Sequence, residues 1–244
     1  MEKFVDLPNL PAGRVSHVIM SDFLSDAVSE LRNNYHISVT VPEPIPEITG
    51  SERFHADMGV CHLGKEKFLI EGSNAPVKKM LNDMNAEYET VIGITAAYPL
   101  LNACINGNTI ICNTKKTDKR IIDHAVSNRM KILHTNQSYT KCSVAIISEN
   151  AIITADKGIA SLCRNENTDV LLIKEGSIEL KGYPYGFIGG CCGKLSPDII
   201  AFSGKIKDHP DYDNIRAFSE SHNVNIISLS NKPLYDVGGI LPVC

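Results

Sequence analysis

Two kinds of apolar periodicity follow one another along the chain, alternation every second residue in short runs and spacing at three and four residues in longer ones. The first run, Arg14 to Met20, reads as a strand. Ser21 or Ser25 can cap a helix running to about Asn33, and His36 to Val41 is a second strand that ends in the turn Pro42-Glu43-Pro44-Ile45-Pro46. This proline-rich link marks a boundary between units and is too short to be a flexible domain linker. Next comes an apolar run divided by the charged turn Gly64-Lys65-Glu66-Lys67, which reads as a β-hairpin with Asp57 on its first strand. A helix from about Ala75 to Ala86 follows, with Asn74 as its cap and Pro76 in its first turn, and then the strand Tyr88 to Ile94.

The order then repeats. Asn106-Gly107 sits between the apolar runs of Asn102 to Cys112 and predicts a hairpin, followed by a helix from about Asp118 to Arg129 and the strand Lys131 to His134. Cys142 to Thr154 is a further hairpin turning at Ser148-Glu149-Asn150, with a short helix near Lys157 to Cys163 and the strand Asp169 to Ile173. Phe187 to Phe202 repeats the pattern, with a helix from about Tyr212 to His222 and the strand Val224 to Leu229. The second hairpin strands centre near Leu69, Ile110, Ile152 and Ile199, about 41, 42 and 47 residues apart, a spacing that signals arrays and propellers. The first unit lacks an opening strand, and the stretch Asp236 to Cys244 is a strand left over. If the two pair, five ββαβ units close into a ring without orphan edges. The alternative is an α/β sandwich of loosely similar βαβ units.

Composition narrows the function classes. The 244 residues, 43% hydrophobic, suffice for a sizeable core and are read as one domain over residues 1–244. Net charge is −4, and the longest basic cluster is Lys115-Lys116-Thr117-Asp118-Lys119-Arg120, so no nucleic-acid partner is expected. The stretch Met1 to Pro8 has no apolar leader pattern and no apolar run is long enough for a membrane span, which predicts a cytoplasmic protein without a membrane partner. In that setting eight cysteines are thiols rather than a disulfide framework.

Chemistry concentrates in Arg53-Phe54-His55-Ala56-Asp57-Met58-Gly59-Val60-Cys61-His62, which holds a carboxylate, two imidazoles and a thiol. Asp57 is a candidate anchor for a guanidinium or amine through a charge-assisted hydrogen bond; it could equally cap its loop or pair with Arg53. His55, two residues away and on the same strand face, is a candidate general base, or merely a hydrogen-bonded histidine. Strand alternation would group His55, Asp57 and Cys61 and turn His62 away, and neither a C-x-x-C nor an H-E-x-x-H spacing is present, so no metal site is expected. No cofactor is implied. Cys191-Cys192, flanked by Gly189-Gly190 and Gly193, is a candidate nucleophile pair on a tightly turning backbone, with a small apolar packing role as its alternative.

The module order resembles the penteins, the guanidino-group modifying enzymes that include arginine and agmatine deiminases, dimethylargininases and amidinotransferases. The resemblance runs from about Arg14 to Cys244 and implies a five-bladed α/β propeller of ββαβ modules around a central site. In the deiminases an Arg-Asp-x-Gly acid grips the substrate guanidinium, and Asp57-Met58-Gly59 matches its acid and glycine while Ala56 replaces the arginine. The family's nucleophilic cysteine follows a glycine run on the last strand, an arrangement similar to Gly238-Gly239 and Cys244. The family's His-x-Asp segment would fall near Tyr139-Thr140-Lys141-Cys142 and its Glu-Gly-Gly segment near Asn102-Ala103, and neither is matched. The resemblance therefore implies a hydrolase or transferase acting on a guanidino or amidine compound. Its candidate catalytic residues are Cys244, His55, Cys191 and Cys192, and its substrate-binding residues are Asp57, Arg53 and Gly59. The alternative is a catalytically inactive member that binds a small cationic ligand or a protein partner in the same opening.

Overall fold

The structure, a computed structural model, describes residues 3–244; Met1 and Glu2, part of the stretch read above for a leader, lie outside the described residues. The first module holds β1 (His17–Ile19), α1 (Ser25–Asn33) and β2 (Ser38–Thr40). The second opens with a one-turn helix, α2 (Ala56–Gly59), and continues with β3 (Val60–Gly64), β4 (Lys67–Glu71), α3 (Ala75–Asp83) and β5 (Glu87–Val91). The third comprises β6 (Cys104–Asn106), β7 (Thr109–Cys112), α4 (Lys119–Ser127) and β8 (Lys131–His134). A second one-turn helix, α5 (Thr140–Ser143), introduces β9 (Val144–Ser148), β10 (Ala151–Thr154), α6 (Lys157–Asn165) and β11 (Asp169–Leu172). The fifth module contains β12 (Cys192–Ser196), β13 (Ile199–Phe202), α7 (Tyr212–Ser221) and β14 (Asn225–Ser228), and the chain ends in β15 (Leu241–Pro242).

Every module is a three-stranded sheet in which a hairpin strand pairs antiparallel with a central strand, and a helical crossover brings the third strand back parallel to it. In the first module the hairpin strand comes from the other end of the chain: β15 pairs with β1 at Val18↔Pro242 and Ile19↔Leu241. The five sheets and the pairing of the last strand with the first are those the repeat spacing predicts.

Packing closes the ring. Phe68 and Ile70 of the second module pack with Ile19 and Val243 of the first, Leu69 with Ile110, and Ile111 with Ile152. Ile153 packs with Phe202, and Ala201 with Val18 and Val237. Each cluster thus joins two consecutive modules, and the last joins the fifth to the first. Strands covered by a helix on one face and a neighbouring module on the other are apolar on both, as in Val144-Ala145-Ile146-Ile147.

Local chemistry sets the helix limits. Asn74 accepts from the Val77 N–H at 3.4 Å and Asp156 from the Ile159 N–H at 2.8 Å, caps worth about 1 kcal/mol each. α1 departs from the serine-capped expectation: Leu24 occupies its N-cap, and the Ser21 hydroxyl accepts from Phe23 N–H instead. Four helices end in the same left-handed turn, with Asn85, Arg129, Asn167 and Asn223 at φ between 54° and 62°. In each, the next N–H returns to a carbonyl of the last turn, as Ala86 does to Leu81 and Met130 to Ala125, both at 2.8 Å.

One expectation needs correcting where it bears on the site. Asp57 lies in α2 and not on the hairpin strand, which begins at Val60. A helical turn therefore separates His55 and Asp57 from Cys61 and His62, and strand alternation does not relate them. Cys61 enters the apolar core, while His62 stacks on Phe68 with centroids 4.2 Å apart.

Candidate functional site

The segments that lead into the five hairpin strands meet at the centre of the ring and are tied to one another in a cycle. Asp57 N–H donates to the Gly238 carbonyl at 3.0 Å, and the Val237 and Gly239 N–H groups donate to the Gly190 carbonyl at 2.9 and 2.7 Å. Gly189 lies against the Lys141 and Val144 carbonyls. The Asn102 side chain accepts from Lys141 N–H at 2.9 Å and donates to the Asp57 carbonyl at 3.5 Å, completing the circuit. Two glycines permit the approach. Gly238 has φ +76°, with a hypothetical Cβ 2.3 Å from His55 Cβ, and a Cβ on Gly190 would sit 2.0 Å from Asp236 Oδ1.

On this frame stand three acids, a thiol and an imidazole, all buried. Cys142 Sγ lies 2.9 Å from Asp57 Oδ2, donating to the carboxylate. His55 Nδ1 is 3.6 Å from Asp236 Oδ1, and Asp236 accepts from the N–H groups of Phe187 and Gly238 at 2.9 and 3.0 Å. Glu52 accepts from the Tyr183 hydroxyl at 2.5 Å. Several polar atoms lack a partner: Glu52 Oε2, Asp57 Oδ1 and both ring nitrogens of His55. Leaving one such group unpaired costs about 1–3 kcal/mol, and more when it is charged, which makes these atoms candidates to bond a ligand or an ordered water.

A cavity of about 160 Å³ opens onto this cluster, lined by Glu52, His55, Tyr139, Cys142, Leu180, Tyr183, Tyr185, Phe187 and Asp236. The walls are aromatic, the floor is acidic, and the lining holds neither Lys nor Arg. Burial raises the Asp57 carboxyl to about 6, against the opposing pull of His55 and Lys141. Burial and then the charge of Asp57 push the Cys142 thiol well above its ordinary value. A cation in the cavity offsets both costs, since it favours carboxylate and thiolate together.

His55 and Asp57 are thus brought together, and the partner thiol is Cys142. Cys244 lies elsewhere, with its carbonyl accepting from Ser16 N–H at 2.7 Å and its sulfur 3.4 Å from the Ser16 hydroxyl. Cys191 bonds to the Ile188 carbonyl at 3.1 Å, and Cys192 shares its apolar cluster with Ile200 and Phe202. Burial raises the Cys192 thiol to about 12. Arg53 lays its guanidinium over Phe54 at 5.4 Å, and Gly59 closes α2; neither lines the cavity. Cys142, Asp236 and Glu52 are the residues sequence reasoning passed over. The available signal was positional: Cys142 lies in the one-turn helix α5, which precedes its hairpin as α2 precedes the hairpin after Asp57.

The five-module ring around a buried polar centre is the pentein fold, as the order of modules in the sequence implied. Among solved structures the chain resembles an inosamine-phosphate amidinotransferase from Streptomyces griseus, at 11% identity and a TM-score of 0.62, over 99% of this chain and 95% of that one. It also resembles an agmatine deiminase from C. jejuni, at 10% identity and 0.54 over 96% and 94%. A third is DDAH from Pseudomonas aeruginosa, solved with citrulline, at 10% identity and 0.55 over 89% and 92%. The chain belongs to a family of unknown function (DUF6873), whose model matches residues 19–241. No curated protein matches the sequence. Among the described residues no helix is long and apolar enough to cross a membrane.

Proposed function

We propose that the central cavity binds a small guanidino or amidine cation and that Cys142 attacks its central carbon, making the protein a hydrolase or transferase of such compounds. The observation that carries this reading is the 2.9 Å contact of the Cys142 thiol, which lines a cavity of aromatic rings and acids, with the buried Asp57 carboxylate next to it. A planar cation is held there by charge-assisted hydrogen bonds to the lining carboxylates, Glu52 with its unpartnered oxygen first, and by the faces of the tyrosines, while Asp57 adds its charge through Cys142. As the S–C bond forms, the thiol proton passes to Asp57 and from there to the departing amine. Water or an acceptor amine then attacks the thiouronium carbon and gives up its proton to the same carboxylate, and the sulfur recovers a proton as it leaves. In this reading His55, whose Nδ1 is 3.6 Å from Asp236 Oδ1, relays protons.

A second reading is favoured by the surroundings of Cys142: burial and the adjacent Asp57 charge push its thiol well above the ordinary value, as suits a protein that binds the cation without reacting. Incubation with arginine and agmatine, followed by intact-mass analysis after an acid quench, separates the two. The enzyme reading expects a covalent amidine adduct on wild type that is absent from Cys142→Ala. Stabilisation by the compounds without adduct or turnover leaves the binding reading, and no response to either compound removes both.

A further inference from the structure

We propose that His55, Asp57 and Cys142 form a binding site for one thiophilic divalent ion of the zinc class at the floor of the cavity. One ligand atom from each residue lies within 4.8 Å of the others, and all three side chains are buried. The donor set is one nitrogen, one oxygen and one sulfur. That set suits zinc or cobalt and disfavours magnesium and calcium, which demand oxygen. Zinc bonds of about 2.0–2.3 Å separate tetrahedral donors by about 3.3–3.8 Å, so the cluster needs only a small adjustment as the bond between Cys142 and Asp57 is replaced by bonds to the metal.

Independent support comes from the atoms that lack partners. Both ring nitrogens of His55 and Oδ1 of Asp57 are buried without a hydrogen bond. A metal satisfies one nitrogen, and the other faces Asp236, whose Oδ1 stands 3.6 Å from Nδ1 and is itself fixed by two backbone N–H groups. A carboxylate behind a ligating histidine orients the ring and raises its basicity. The ligands come from two modules, and the Asn102 bridge between Lys141 N–H and the Asp57 carbonyl holds those modules in register. On binding, Cys142 releases its proton to solvent; thiolate and carboxylate then balance the two positive charges. Two of the three ligands, His55 and Cys142, also line the cavity.

The metal and a guanidino cation would compete for the same donors, a consequence that rests on the function proposed above. The test is titration of metal-free full-length protein with Co²⁺, followed in the near-ultraviolet and visible. One equivalent is expected to give a thiolate-to-cobalt charge-transfer band and intense tetrahedral d–d bands, displaced by Zn²⁺. Cys142→Ala should lose the charge-transfer band, and His55→Ala should bind at least tenfold more weakly, with far-ultraviolet circular dichroism confirming that each variant is folded. Cys142→Ser, nearly isosteric, serves if the alanine variant is not folded. A wild type without the band, or a band that survives in the folded Cys142 variant, overturns the proposal. Agmatine added to the cobalt form tests competition: if agmatine fails to bind even the metal-free protein, the guanidino reading falls while the metal site stands.

Discussion

The Asp57 carboxylate accepts one hydrogen bond, from the Cys142 thiol, and leaves its other oxygen unpaired, a costly arrangement that a bound cation would offset. Asp57→Asn keeps the shape and removes the charge. Binding of arginine or agmatine should weaken by at least about 1.5 kcal/mol, the scale of a hydrogen bond to a charged group. Thermal shifts of the two forms against a ligand series would show it, and equal responses would remove Asp57 from the cation site. Gly190→Ala tests the frame rather than the charge, because the added Cβ would overlap Asp236 Oδ1 at 2.0 Å. Overpacking of this kind costs about 1–3 kcal/mol, so its denaturation midpoint should fall; an unchanged midpoint would mean that Asp236 moves freely. His55 and Asp57 were legible in the sequence because they are neighbours. Cys142 and Asp236 were not, since each reaches the cluster from another module and no spacing announces it.

The helix ends carry the repeat at the scale of elements. Three of the four left-handed positions are Asn, the non-glycine residue that tolerates this conformation best, and the fourth is Arg129 at φ 54°. The left-handed cost for an ordinary residue is about 1–2 kcal/mol, against up to about 1 kcal/mol for the extra freedom glycine brings to the unfolded chain. Arg129→Gly should therefore stabilise the protein by roughly 0.5 kcal/mol, and equilibrium urea unfolding would measure the gain; a loss would mean that the arginine side chain contributes more than its backbone costs. Strand and helix positions were readable because binary pattern and caps are local. The one-turn helices α2 and α5 were not, since four buried residues carry no period of their own.

For the whole molecule, closure is the decisive contact. Removal of residues 235–244 takes away β15, the Asp236 carboxylate and the backbone links to Gly190, and exposes the edge of β1. The truncated chain should lose cooperative unfolding or aggregate, and an unchanged melting curve would sink the closed-ring account. The same closure buries His62, whose imidazole donates to the Lys65 carbonyl at 2.7 Å and packs near the Pro242 carbonyl; burial lowers its pKa from 6.5 to about 4. Because the folded state holds the imidazole neutral, its contribution is complete above pH 6.5 and is lost as pH falls toward 4. The difference in unfolding free energy between wild type and His62→Gln isolates this group. It should move against wild type by about 3 kcal/mol over that interval, following 1.36 kcal/mol per unit, and a constant difference would refute the assignment.

What the sequence by itself determined was the module: hairpin turns at Gly64-Lys65-Glu66-Lys67 and Asn106-Gly107, the cap at Asn74, and a period near forty residues that counts five units. These depend on neighbours a few residues apart; the pairing of the leftover last strand with the incomplete first unit followed only from the count of modules, because it joins opposite ends of the chain at Val18↔Pro242. Which side chains face the centre was decided only by tertiary structure. Cys142 rather than Cys244, Cys191 or Cys192 stands against Asp57 because the packing of five modules sets the phase at which each segment enters the ring. A shift of one residue in that phase exchanges a core thiol for one facing the cavity, and no local pattern records it.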